Sequence, residues 1–245
     1  MTDLWQMTAV EAVARLKKRE ISPARPRSRL RPARIAEVEP AVNALPTLCL
    51  DRARDHAKRH HGGRRSLRSL RRSRLARRPS GVDQGPHRRR RRAHDLRLAD
   101  LRQPRADQIA PVVERIERKG GIVVAKSNTP EFGAGGSTFN EVFGRTRNPW
   151  NTSLTCGGST GGGAVSVATG EVWLAHGSDH GGSLRRPGTY CSVVGIAAFA
   201  RPRDARHLGT ISISPQSVQG PMARTVARPR AVPRHHGRAS ARTIP

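Results

Sequence analysis

Lysine is missing from a long part of this 245-residue chain: none occurs between Lys58 and Lys119, although the formal net charge is +28. Cysteine is scarce as well, with only Cys49, Cys156 and Cys191 and no C-x-x-C pair. That argues against a disulfide framework or a structural zinc site. No run of about 18 apolar residues is present, and the leading MTDLWQMTAVEAVARLKKRE is amphipathic rather than basic and then apolar. A reducing, soluble, cytoplasmic setting is therefore expected. Phosphate loops of the G-x-x-x-x-G-K-[ST] or G-x-G-x-x-G type are absent, and the ten histidines show no metal-ligand spacing.

The charge is unevenly spread. From Arg64 to Arg105 there are sixteen arginines, no lysine and no aromatic residue on which a base could stack. The simplest reading of such a stretch is nucleic-acid binding. Between residues 111 and 196, however, eight Lys/Arg are offset by six acids, and the segment is nearly neutral. The basicity belongs to parts of the chain, not to all of it.

Two textures alternate along the sequence. Residues 4–20 and 34–58 have helical spacing, with Ile35, Val38, Val42 and Leu45 on one stripe. PVVERIERKGGIVVAK (111–126) predicts a helix closed by Gly120-Gly121, then a buried strand over Ile122–Ala125. GGGAVSVATG predicts a helix of small residues, Val172–Ala175 a strand, and HGSDHGGSLRRPG a glycine loop. Helices alternating with buried strands argue for an α/β layered fold. The second texture, at about 24–33, 60–108, 197–207 and 228–245, is rich in Arg and Pro, aperiodic and poor in large apolar residues. Its composition predicts disorder, because too little surface can be buried to offset ordering entropy.

The chemistry concentrates in two glycine-rich runs. CGGSTGGGA (156–164) sets one hydroxyl, Ser159, among glycines, which permit close backbone approach. Twenty-four residues on, SDHGGSLR (178–185) sets Ser183 after Gly181-Gly182. Successive N–H groups there can converge on one point, as an oxyanion hole requires. A lone serine is a poor nucleophile at neutral pH, and a second hydroxyl within reach can pass its proton to a base. GGSTG also fits the G-x-S-x-G nucleophile elbow, but that motif needs a buried strand before it, and TRNPWNTSLTC is polar and turn-like.

These runs, with AKSNTPEFGAGGSTFNEVFGRTRNPWN, DHGGSLRRP and YCSVVG, resemble the amidase signature family over about 90 contiguous residues. The recognisable core is 109–196, while LWQMTAVEAVARLKKREISP and ARIAEVEPAVNALPT resemble that family's leading helices. The resemblance implies that Ser183 attacks an amide carbonyl and that Ser159, joined to Gly158 by a cis peptide bond, relays its proton to a lysine. It implies an oxyanion hole from the N–H groups of His180, Gly181, Gly182 and Ser183, with Asp179 and Arg185 buttressing the loop. It implies no metal and no organic cofactor. The fold expected is the family's mixed twisted sheet with helices on both faces, incomplete, because the chain ends roughly halfway through a usual family domain. The partner implied is a small-molecule amide, with no specific nucleic acid and no membrane; the oligomeric state is open.

One part is missing. The family's lysine stands about 75 residues before the relay serine, in a G-[apolar]-P-x-x-x-K-D stretch, and counting back from Ser159 gives Gln84. Lys126, in the KSNTPE stretch, reads as structural. Moved forward one base, degenerate codons for residues 78–98 become compatible with GLPVSIKDLTDVAGVRTTYGS, which contains that motif at the expected place. The same shift gives GRVTRGT for 201–207, DLALFLDTMAG for 228–238 and LDLVAASA for 24–31. The chain therefore reads as the translation of a gene with compensating one-base frameshifts, and as an impaired amidase without its base. Two other readings stay open: an arginine-rich nucleic-acid-binding protein on an amidase-like scaffold, and a non-catalytic amidase-like subunit of a complex.

Overall fold

The computed structural model describes residues 5–18, 20–21, 31–61, 92–93, 105–106, 111–197 and 217–226. Apart from residue 197, the atypical stretches 197–207 and 228–245 lie outside the described residues, as do most of 24–33 and 60–108, including Gln84.

Helix α1 spans Ala9–Lys17. It starts where Thr8 and Glu11 close a capping box: the Glu11 amide donates to Thr8 Oγ1 at 3.2 Å, and the Thr8 amide donates to Glu11 Oε2 at 2.6 Å. The stretch of helical spacing over 34–58 forms two helices, α2 (Arg31–Val42) and α3 (Leu50–His61). Between them Asn43 turns to φ 52°, and Thr47–Leu48 forms a short strand, β1. The cause of the break is Glu39. Its carboxylate reaches forward to accept from the amides of Ala44 (2.8 Å) and Leu45 (3.0 Å), taking donors that a continuing helix would use. Pro46 then removes the next donor.

Within the expected irregular stretch 60–108, two short strands, β2 (Arg92–Ala93) and β3 (Arg105–Ala106), pair antiparallel. Helix α4 (Pro111–Arg118) ends as the glycines predict, with Gly120 at φ 82° and its amide donating to the Glu117 carbonyl. The strand expected over Ile122–Ala125 is shorter and later. β4 is Ala125–Lys126, paired antiparallel with β1 in the register Thr47↔Lys126 and Leu48↔Ala125. Lys126 is thus a ladder residue.

Strands β5 (Phe139–Asn140) and β6 (Gly144–Arg145) form a hairpin. Helix α5 (Gly161–Ala168) is buried from Gly161 through Val167. Its small side chains suit a helix with no solvent-facing side, and Ala164, Val165 and Val167 join Ile35, Leu45, Leu184 and Met222 in the core. Strand β7 is Leu174–Asp179, longer than expected, so the first residues of the predicted glycine loop are ladder residues. Its partner is β9 (Val218–Ala223), which lies between β7 and β8 (Val194–Gly195) and pairs antiparallel with both. The six-residue helix α6 (Arg185–Tyr190) packs on this sheet. No helix of the described residues is long and apolar enough to cross a membrane.

Candidate active site

Strand β7 carries the chain to Asp179, and the turn that follows is organised around that one carboxylate. Asp179 Oδ1 accepts from the Gly182 amide at 2.8 Å and from Arg185 Nη2 at 2.9 Å. Oδ2 accepts from the Leu184 amide at 3.0 Å, the Arg185 amide at 3.2 Å and Arg185 Nε at 3.1 Å. The side chain is 1% exposed. Arg185 beside it and these backbone amides hold its carboxyl well below the usual range, against the opposing effect of burial. The turn from Gly182 to Arg185 is therefore fixed by five donors on one buried anion, and Ser183 sits inside it, half-buried.

The second serine is held by a different device. Thr138, 1% exposed, donates through Oγ1 to the Gly157 carbonyl at 2.8 Å and accepts from the Gly161 amide at 3.1 Å. One hydroxyl thus clamps both ends of the segment that contains Gly158 and Ser159. The Gly158–Ser159 peptide bond is cis, the geometry implied by the resemblance. Gly158 packs so closely on residues 135–137 that a Cβ there would come within 2.8 Å of the Gly135 carbonyl. Ser159 is 5% exposed.

The two serine loops touch through backbone. The Thr160 amide donates to the Ser183 carbonyl at 3.2 Å, and Thr160 Oγ1 donates to the Ser178 carbonyl at 3.4 Å. Neither serine hydroxyl donates a hydrogen bond to another described residue. Sequence reasoning thus named the two loops that meet here, along with Gly158, Asp179 and Arg185 around them.

One expectation for the oxyanion hole changes. The Gly182 amide is taken by Asp179 Oδ1, because the turn that lifts Ser183 also points this N–H back at the buried carboxylate. Among the described residues the amides of His180, Gly181 and Ser183 have no acceptor, and His180 itself is exposed.

Nearby thiols are unsuited to nucleophilic work. Burial pushes Cys156 up to about 11 and Cys191 up to about 12, so both stay protonated near neutrality. Among the described residues no group of three or more His, Cys, Asp or Glu side chains is placed to hold a metal ion. Thr138 is the site residue that sequence reasoning missed. A threonine in a polar run carries no local sign that its hydroxyl spans two distant amide groups.

A family model described as Amidase matches residues 98–236. The glutamyl-tRNA(Gln) amidotransferase A-type subunit from Halothermothrix orenii is 39% identical over 195 residues, covering 79% of this chain and 38% of that protein. Among solved structures, 6-aminohexanoate cyclic dimer hydrolase complexed with substrate superposes with a TM-score of 0.74 at 27% identity, covering 94% of this chain and 46% of that one. A peptide amidase in complex with the competitive inhibitor chymostatin gives a TM-score of 0.70 at 26% identity, covering 91% and 46%. The chain thus spans less than half the length of each of these relatives.

Proposed function

Because this chain belongs to the amidase family, we propose that it carries the nucleophile half of an amide-hydrolysing site, with Ser183 as nucleophile and Ser159 as proton relay. The observation that carries this reading is the backbone contact between the two serine loops, the Thr160 amide on the Ser183 carbonyl. It brings the two hydroxyl-bearing residues into one place. Ser183 Oγ adds to the amide carbonyl carbon while its proton moves to Ser159, which hands its own proton on toward a base. The C–N bond then breaks, the amine leaves protonated, and water cleaves the resulting acyl-enzyme to the acid. The amides of His180, Gly181 and Ser183 are the donors left to face the developing oxyanion. Asp179 and Arg185 act at one remove, by holding the turn.

The base is the weak point. The position that counts as the lysine is Gln84, so the chain as written is proposed to have little or no turnover. The purified chain should leave simple aryl amides uncleaved, and robust turnover would overturn that part. With residues 78–98 replaced by GLPVSIKDLTDVAGVRTTYGS, a serine-directed fluorophosphonate should label Ser183. Labelling that persists in Ser183→Ala defeats the nucleophile assignment. Resequencing the gene checks the frameshift itself.

A second reading has one observation in its favour: a relative over 79% of this chain is named as one subunit of an amidotransferase. On that reading the chain works within a complex, and co-purification with a defined partner protein is the test.

A further inference from the structure

Two arginines follow Ser183, and the fold treats them differently. Arg185 spends its guanidinium on Asp179, to which it gives two hydrogen bonds. Arg186 has no such partner: among the described residues no carboxylate lies within ion-pair distance of it. Its backbone amide donates to the Gly182 carbonyl at 2.7 Å, and its exposed side chain folds back so that Nη2 donates to the Gly181 carbonyl at 3.3 Å. The guanidinium also lies beside Gly136, on the loop before β5. A Cβ on Gly136 would lie 2.8 Å from Nη1, so the guanidinium rests directly against this glycine. The same loop, through Gly135 and Ser137, is what Gly158 packs against. An unpaired cation therefore bridges the rim between the Ser183 turn and the wall that supports Ser159.

Resting on the reading of Ser183 as nucleophile, we propose that Arg186 is a specificity-determining residue that selects amides bearing a carboxylate. A guanidinium has five N–H donors in a planar fork, and only one is engaged here, at long distance. A carboxylate matches that fork with two parallel hydrogen bonds, more strongly than neutral acceptors do. Asp179 cannot serve, because it is already saturated by five donors on the inner side of the turn. The free side of the fork therefore points the choice toward the substrate: a compound whose amide carbonyl lies at Ser183 and whose anionic group lies a few bonds away.

The test is binding, so it does not depend on turnover. The full chain is titrated with succinamate and with its neutral methyl ester, following amide resonances of residues 181–183. Succinamate should bind about tenfold more tightly than the ester. Arg186→Gln should erase that ratio without weakening the ester, Arg186→Lys should keep part of it, and Arg118→Gln on α4 should leave it unchanged. Added salt should narrow the ratio. Equal binding of both amides, or a preference that survives Arg186→Gln, overturns the selectivity proposal and leaves the amide site standing. If neither amide perturbs residues 181–183, the amide-site reading fails and the selectivity proposal falls with it.

Discussion

The amide of Thr160 donates to the carbonyl of Ser183 across 3.2 Å, which joins the two glycine-rich loops by their backbones rather than by their hydroxyls. The joint survives loss of either hydroxyl. Ser159→Ala and Ser183→Ala should each shift the melting temperature by no more than about 2 °C, since neither side chain donates to a described residue. A larger drop in thermal unfolding would mean that the serines serve the fold.

Asp179 governs acid stability of the turn. Its folded-state pKa is depressed by Arg185 and by the amides of Leu184, Gly182 and Arg185. The stabilisation is therefore present above the ordinary carboxylate range and drains away as pH falls below about 4. Asp179→Ala, which orphans three backbone amides, should cost about 3 kcal/mol at neutral pH in urea unfolding. It should also flatten the acid limb of the stability curve. Arg185→Gln should cost less, because that side chain is 63% exposed.

Glu171 has the opposite signature. Burial, with a neighbouring Glu39, raises it to about 8, opposed by the Thr169 hydroxyl that donates to Oε2 at 2.6 Å. Its folded form holds a proton that the unfolded chain releases, so stability falls as pH rises from about 4.5 to about 8. Glu171→Gln keeps the acceptor for Thr169 and removes the charge. It should raise the melting temperature above that of the unaltered chain near pH 8, with the two converging near pH 5. Parallel curves would show that Glu171 does not carry this effect.

Thr138 separates hydroxyl from shape. Thr138→Val leaves the Gly161 amide unpaired in a buried place, and the Gly157 carbonyl with only the weak Cys156 thiol donor, and should cost about 2 kcal/mol in chemical unfolding. Thr138→Ser restores both hydrogen bonds and should recover most of the loss. Equal losses in the two variants would point to packing of the methyl group instead.

Much of this arrangement was legible in order of sequence. Gly120 closes α4 because the pattern of apolar residues stops there, and the small residues of α5 announce a helix with no exposed face. The serine loops were legible because glycine marks backbone geometry directly. What escaped depends on partners distant in the chain. The break between α2 and α3 is made by a carboxylate at Glu39 that folds forward onto two amides, a choice that helical spacing does not encode. The length of β7 is set by β9, whose residues carry no strand pattern: Pro221 and its neighbour Gly220 read as turn formers. The Gly182 amide looked like an oxyanion donor until Asp179 was seen to claim it.

The placing of β9 also bears on how the chain is made. Leu174 pairs with Ala223, and Asp179 pairs with Val218. During synthesis, β7 leaves the ribosome long before its partner does, with the glycine turn hanging from an unpaired edge. Until residue 223 has cleared the exit tunnel, that edge is open to any passing strand. A nascent chain stalled near residue 215 should therefore engage chaperones that one stalled well past residue 223 no longer needs. The Ser183 turn is finished by the last part of the described chain to be translated.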